Sequence, residues 1–179
     1  MFRLPNPGGP VTTTPLPFDP IAEAARLWRT HGWEDAADGM AVVTSLMRAQ
    51  AIVQAQVDDV LRPLELTFAR YELLMLLSFT RDGCLTMAKA GARLQVHPAS
   101  VTNAATRLED AGLVERRPDP ADGRAVLVEI TDAGRALASK ATDLLNEQVF
   151  SRPELTSPGM RSLVDTVREL RRAAGDFTG

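Results

Sequence analysis

The sequence predicts a mainly α-helical protein that carries one small β-hairpin. Three observations support this fold class. Apolar residues recur at helical spacing through most of the chain beyond residue 20, which is typical of amphipathic helices. Two short helices with a three-residue turn between them are expected over 86–111. Two short strands are expected on either side of a loop of Pro, Asp and Gly over 113–131, which indicates a hairpin directly after those helices.

Size and composition indicate one globular domain over 20–179. The chain has 179 residues, of which 45% are hydrophobic and 24% charged. It has no run of about 18 apolar residues, so a transmembrane helix is excluded. The N-terminus lacks the apolar core of a signal peptide. The one cysteine, Cys84, excludes an intrachain disulfide. These features predict a cytoplasmic protein.

The N-terminal part is expected to be an arm followed by two helices. Residues 1–19 are rich in proline and predict a flexible arm. A first helix is expected over 20–30, with Asp19 as its N-cap and Pro20 at its first position. A longer helix, ended by a proline, is expected over 38–61.

Three further helices complete the predicted framework. The segment 67–81 is apolar almost all round, which is typical of a central, buried helix. Helices are also expected over 132–149 and 158–174. The last of these has an apolar side that we expect to face inward, formed by Met160, Leu163, Val164, Val167 and Leu170.

The two short helices in the middle form a predicted helix-turn-helix. The first covers 86–94 and the second 98–111, with Gly112 as the expected C′ glycine. Val101 and Leu108 face the core together with Ala105. The outward side of the second helix is small, polar and mostly uncharged, which suits the major groove of DNA. Its members are Ser100, Thr102, Asn103, Thr106 and Arg107.

The start of the second helix and the hairpin add further predicted contacts to DNA. Ala99 and Ser100 present backbone N–H groups to a phosphate, and His97 is either the N-cap or a phosphate contact. At the hairpin tip, Arg124 is placed to enter the minor groove, with Asp122 holding its guanidinium by a bidentate pair. The predicted DNA-binding residues are His97, Ala99, Ser100, Thr102, Asn103, Thr106, Arg107, Arg116, Arg117, Asp122, Gly123, Arg124, Lys89 and Arg93.

Neither the net charge nor the predicted helix-turn-helix establishes DNA binding by itself. The net charge is −3, although the stretch from Lys89 to Arg124 carries one net positive charge. For Arg117 a solvated strand end is as good an interpretation as a phosphate contact. A helix-turn-helix also occurs in helical bundles, so a protein–protein interaction domain without DNA binding is the alternative. No constellation of residues typical of an enzyme is recognisable.

The segment LTMAKAGARLQVHPASVTNAATRLEDAGLVERRPDPADGRAVLVEITDAGRAL resembles the MarR family of bacterial regulators. The likeness combines the helix-turn-helix, a hairpin or wing with an Asp-x-Arg tip, and the TDAGR helix start. It extends to the helices on both sides. The resemblance implies a homodimer with dimerisation helices in 20–66 and 132–179, and a winged helix-turn-helix lobe with a two-stranded β-wing over 67–131. It also implies a repressor that reads a pseudo-palindromic double-stranded operator and is released by a small molecule.

The extra N-terminal helix with LWRTHGW is similar to the urate-responsive branch of that family. The resemblance matches Trp28 to the ligand-binding Trp of that branch and Glu72 to its acidic residue. That branch carries an arginine where this chain has Ala104, which favours an apolar or aromatic effector over urate. The predicted effector-binding residues are Trp28, Trp33, Met47, Arg48, Tyr71 and Glu72.

Each of these residues also has a plainer interpretation. The two tryptophans could pack in a dimer interface, and Arg48 could be a surface cation. Glu72 could pair with Arg48 or lie on an exposed stripe. Cys84 lies beside a predicted short strand, where a buried, inert thiol is favoured over an oxidant sensor. The two histidines and one cysteine form no recognisable metal site, and no cofactor is expected.

Overall fold

The computed structural model describes residues 15–178. Those residues form seven α-helices and three strands, which confirms the predicted fold class. The helices are α1 Pro20–Thr30, α2 Glu34–Leu61, α3 Phe68–Ser78, α4 Met87–Leu94, α5 Pro98–Asp110, α6 Asp132–Leu145 and α7 Ser157–Ala173. The strands are β1 Cys84–Thr86, β2 Val114–Pro118 and β3 Val126–Ile130. The predicted arm over 1–19 lies, up to residue 14, outside the described residues.

Contacts divide the chain into two compact units, 1–53 and 54–179, with the division inside α2. In the first unit, α1 begins as predicted, because the Asp19 carboxylate accepts the N–H of Ile21 at 2.9 Å. The helix α2 begins at Glu34, four residues before the predicted start, and Ala37 in its first turn is fully buried. The single domain predicted over 20–179 stays a prediction.

The helix α3 is central to the second unit, as its composition predicts. Leu73, Leu74 and Leu77 are fully buried and share a core with α5, β3 and α6. The helix ends at Ser78, three residues before the predicted end. The next residue, Phe79, is 79% exposed, so a further turn would have no core to pack against.

The sheet has one strand more than the predicted two-stranded hairpin. Its order is β1-β3-β2, all antiparallel, with Arg116 opposite Val128 in the hairpin. The added strand β1 places Cys84 opposite Glu129. Cys84 is half-buried and not in a disulfide, whereas the sequence favoured a fully buried thiol. The sequence predicts a short strand beside Cys84, but three residues carry too little alternation to assign that strand to the sheet.

Gly134 shows why α6 can begin close against the sheet. A Cβ at this position would lie 2.1 Å from the carbonyl oxygen of Leu113. Only glycine allows that approach. Thr131 caps the same helix by accepting the Gly134 N–H at 3.0 Å, and it donates its hydroxyl to the Gly112 carbonyl at 2.9 Å. The start of α6 is thereby fixed to the end of α5 and its following turn.

The prediction that the apolar side of α7 faces inward is wrong for this chain. Leu163, Val164 and Leu170 are 50%, 55% and 54% exposed, and α7 has no buried residue. The helix is amphipathic, but no other element of the described chain covers its apolar side. Within residues 15–178, no helix combines the length and the apolarity that a membrane crossing requires.

Candidate nucleic-acid interface

The helix-turn-helix is formed by α4 and α5 with the predicted three-residue turn. Gln95 closes α4 in the left-handed conformation, with φ +53°. His97 is the N-cap of α5, and its Nδ1 accepts the N–H of Ala99 at 3.2 Å. Pro98 occupies the first position of the helix, where its missing N–H costs nothing. The N-cap role predicted for His97 is confirmed, and its phosphate contact stays a prediction.

One side of α5 is anchored in the core and the other is open. Val101, Ala105 and Leu108 are at most 1% exposed. That burial fixes the rotation of the helix about its axis. The predicted contact residues Ala99, Ser100, Thr102, Asn103 and Arg107 are exposed, and Thr106 is half-buried. The hydroxyl of Thr102 donates to the Pro98 carbonyl at 3.0 Å, so toward a ligand it can only accept.

Arg116 connects the wing to α5 instead of extending outward. Its Nε donates to Oε2 of Glu109 at 2.7 Å, and its backbone N–H donates to Oε1 of the same carboxylate at 3.1 Å. These hydrogen bonds lower the pKa of Glu109. The guanidinium of Arg116 is thus engaged within the chain, which favours a positioning role, and its phosphate contact stays a prediction.

Arg117 is likewise engaged within the sheet. Its Nε donates to the Glu129 carboxylate at 2.8 Å, across the β2–β3 pair. Opposite charges on neighbouring strands stabilise such a pairing modestly. The Arg117 side chain remains 44% exposed at the strand end, and its phosphate contact stays a prediction.

The wing tip is a compact turn that presents Arg124. Asp122 accepts the backbone N–H of Arg124 at 3.0 Å, and its carbonyl accepts the N–H of Ala125 at 2.8 Å. The predicted bidentate pair between Asp122 and the Arg124 guanidinium is therefore wrong. The short Asp side chain closes the turn locally, and among the described residues the Arg124 side chain has no partner.

A cleft of about 660 Å³ separates α4 and α5 from the wing. Lys89, Thr102 and Arg124 line it together with Asp119 and Asp122. Lys89 and Arg93 are both exposed on α4 and pair with no described residue, so both are free to meet a polyanion. Gly123 is at the tip, with open space around its Cα.

A second cleft, of about 370 Å³, lies on the opposite flank of α5, against the first turn of α3. Arg70, which the sequence analysis did not select, lines it together with Asn103 and Arg107. The available signal in the sequence was the single cation Arg70 on the mostly apolar helix α3. It was overlooked because the contact joins residues far apart in sequence.

A third feature that sequence reasoning missed ties the C-terminus to this region. The Gln95 side chain, in the turn between α4 and α5, donates to the Asp176 carbonyl just beyond α7. Arg171 pairs with the Asp176 carboxylate at 2.5 Å and lies 5.5 Å from the centre of the Phe177 ring. The C-terminal residues are thus held against the helix-turn-helix turn.

The predicted effector residues are distributed over both units. In the first unit, Trp28 and Trp33 meet edge to face with ring centres 5.4 Å apart, and His31 stacks on Trp33. Met47 is 69% exposed, and Arg48 is exposed on the same helix. The aromatic cluster near the end of α1 and the two exposed residues further along α2 are thus separate features of the first unit.

In the second unit, the two predicted effector residues on α3 have different surroundings. Tyr71 is buried, and its hydroxyl is 3.0 Å from that of Thr142. Glu72 is half-buried, and burial raises the pKa of its carboxyl. It has no hydrogen-bond or ion-pair partner among the described residues. Whether any of these six residues binds an effector stays a prediction.

Comparisons with known proteins agree with this geometry. The MarR family model matches residues 64–125, which run from the end of α2 to the wing tip. The HTH-type transcriptional repressor Rv2887 of Mycobacterium tuberculosis is 30% identical over 128 residues, which are 70% of this chain and 89% of that protein.

Two solved structures from Streptomyces coelicolor are also similar. Sco5413, a MarR family transcriptional regulator, is 46% identical with a TM-score of 0.72, covering 79% of this chain and 99% of that one. Sco3205, a MarR family regulator solved in complex with DNA, is 25% identical with a TM-score of 0.67, covering 76% and 88%. The likeness to the urate-responsive branch stays a prediction. On its fold, its winged helix-turn-helix and these relatives, the chain belongs to the MarR family of transcriptional regulators.

Proposed function

We propose that this protein is a cytoplasmic, homodimeric repressor that binds a pseudo-palindromic double-stranded operator. One observation carries the proposal. The helix α5 is locked by a fully buried apolar side and offers an exposed side of small polar residues, beside a wing whose tip cation has no partner within the described chain.

That arrangement is suited to reading bases. Small side chains at Ala99, Ser100 and Thr102 allow the helix backbone to approach the floor of the major groove. Asn103 can form paired hydrogen bonds with adenine, and Arg124 at the wing tip suits a narrow minor groove. The similar regulator Sco3205, solved in complex with DNA, supports the same use of this fold.

A dimer is proposed from the surface that the single chain leaves uncovered. Leu163, Val164 and Leu170 form an apolar stripe on α7 that is about half exposed. An apolar stripe of this kind is stabilised by a second copy of the same stripe across a two-fold axis. Two copies of α5 would then read half-sites about one helical turn apart.

Regulation by a small aromatic or anionic effector is part of the proposal. It is supported by the exposed aromatic surface around Trp33 and by the unpartnered carboxyl of Glu72. Repression is supported by the relative Rv2887, which is an HTH-type transcriptional repressor. The family assignment favours a regulator over an enzyme.

The proposal is tested by fluorescence-anisotropy titration of the full chain against the intergenic DNA beside its own gene. Scrambled DNA of equal length is the control, and both are measured at two salt concentrations. We expect salt-sensitive binding with a Kd of about 10⁻⁸ M or tighter for the real fragment. Two results together would favour the alternative, an interaction domain that does not recognise DNA. They are equal affinity for the real and the scrambled fragment, and no enriched sequence in a selection from a randomised DNA library.

Arg124→Ala tests the wing within that assay. We expect the variant to lose about 1–3 kcal/mol of binding free energy on A·T-flanked sites. Arg81→Ala is the matched control, because Arg81 is exposed and lies near the end of the sheet opposite the wing tip. If both variants bind as the wild type does, Arg124 has no part in recognition.

A further inference from the structure

The cleft between α3 and α5 has the character of an anion site. Ser100, Asn103 and Arg107 lie on one stripe of α5, spaced by three and four residues. Thr67 and Arg70 face them from the start of α3. The walls are therefore polar, and each wall contributes one arginine.

The charge of this cleft differs from that of the wing-side cleft. The residues that line the α3–α5 cleft include two arginines and no carboxylate. The wing-side cleft mixes Lys89 and Arg124 with Asp119 and Asp122. An anion in the α3–α5 cleft would thus meet one arginine on each wall and no carboxylate in the lining itself. Asp58 and Glu65 line the neighbouring cleft, which shares Thr67 and Arg70 with this one.

Both guanidinium groups are available to such an anion. Nε of Arg70 donates to the Thr67 hydroxyl at 3.2 Å, which orients the group and leaves its terminal nitrogens unused. Arg107 is exposed and pairs with no residue in the described part of the chain. A planar guanidinium with free N–H groups matches the geometry of a phosphate.

The position of the cleft relative to α5 determines which anion it would meet. The major groove is about 12 Å wide, so a helix inside it has a sugar–phosphate strand along each flank. One flank of α5 faces the wing, and the other flank is this cleft. A duplex bound by α5 would place its second strand of phosphates at Arg70 and Arg107.

We propose that the α3–α5 cleft binds a backbone phosphodiester of the operator, clamped by Arg70 and Arg107. The proposal rests on the proposed function, because it requires that α5 enters DNA. It adds α3 to the interface and makes Arg107 a backbone contact instead of a base contact. Phosphate contacts fix the register of the protein on DNA and carry no sequence information of their own.

The test uses the full-length variant Arg70→Gln, with Arg81→Gln as a control of equal charge change. Binding to the intergenic fragment and to a mixed-sequence 26-bp duplex is followed by anisotropy over a series of salt concentrations. Because each protomer of the proposed dimer would lose one phosphate contact, we expect Arg70→Gln to weaken both complexes by roughly five- to tenfold per protomer and to reduce the salt slope by about 1.8. Arg81→Gln should change neither quantity, and Arg70→Lys should restore part of the affinity.

A scan of single methylphosphonate substitutions identifies the phosphate. Wild type should lose affinity at one phosphate of each half-site, on the groove edge away from the wing contact, and Arg70→Gln should lose nothing more at those two positions. Wild-type affinity and salt slope in a correctly folded Arg70→Gln variant would overturn the clamp and leave the proposed function standing. A wild-type protein that binds neither duplex would overturn both.

Discussion

The helices α5 and α7 each carry an apolar stripe, yet within the described chain only the stripe of α5 is covered. Val101 and Leu108 on α5 are 1% exposed, whereas Leu163 and Val164 on α7 are 50% and 55% exposed. Hydrophobic periodicity identifies a side that must be buried. It does not identify the chain that buries it.

This difference distinguishes an apolar side that is covered by its own chain from an apolar side that stays exposed in the single chain. On α5, the core covers the apolar side, and Arg116 neutralises Glu109 at its end. On α7, the apolar side is left for another surface. The DNA-reading helix is therefore expected to be rigid in the single chain, while α7 depends on assembly.

Truncating one leucine on each helix tests this contrast and should give the largest effect. Leu108→Ala should lower the free energy of unfolding by about 2–5 kcal/mol, because it opens a cavity in a closed core. The loss should be the same at low and high protein concentration. Leu163→Ala should cost much less, and its cost should depend on concentration, since it weakens association.

Urea unfolding at two protein concentrations measures both quantities. A concentration-independent loss of similar size for Leu163→Ala would mean that α7 packs within its own chain. The comparison between the two helices would then fail.

A second prediction introduces a charge on each side of α7. Val164→Asp should weaken self-association by about 100-fold, or roughly 2.8 kcal/mol, because the carboxylate must lose its water in an apolar interface. Ser162→Asp is the matched control, because Ser162 is exposed outside the apolar stripe. Analytical ultracentrifugation gives both association constants, and an equal effect of the two variants would exclude the stripe as the interface.

Local chemistry explains which features the sequence could predict. The N-caps at Asp19 and His97 were found because the capping residue lies within two positions of the N–H that it accepts. The left-handed Gly112, with φ +68°, was found for the same reason. Such features depend on neighbours in the chain, so a pattern of a few residues contains them.

Contacts between distant residues explain what the sequence could not predict. The hydrogen bond from Gln95 to Asp176 joins positions 81 residues apart. The cleft that places Arg70 beside Arg107 depends on how α3 packs on α5. For Asp122, sequence reasoning predicts the right partner residue but the wrong atom, because a short carboxylate reaches the nearby backbone N–H more easily than a mobile guanidinium.

Two carboxylates show a similar contrast, because one is paired within the chain and the other is not paired with any described residue. Glu109 is paired with Arg116, and hydrogen bonds from that arginine lower its pKa. Glu72 is half-buried on α3, has no partner among residues 15–178, and has a pKa raised by burial. The negative charge of Glu109 therefore stabilises the fold, whereas the negative charge of Glu72 destabilises it.

The smallest expected effect follows from Glu72. Since its pKa is higher in the folded chain than in the unfolded chain, the folded state favours the protonated form. Stability from this group is complete below the unfolded pKa and is lost as pH rises through the folded pKa. Glu72→Gln should therefore match wild type in acid and become the more stable protein as pH rises to 7. Urea unfolding from pH 4 to 7, at one protein concentration, measures the difference. A variant less stable than wild type at pH 7 would show that assembly gives Glu72 a cationic partner, and that this side of α3 is completed by another surface, as we propose for α7.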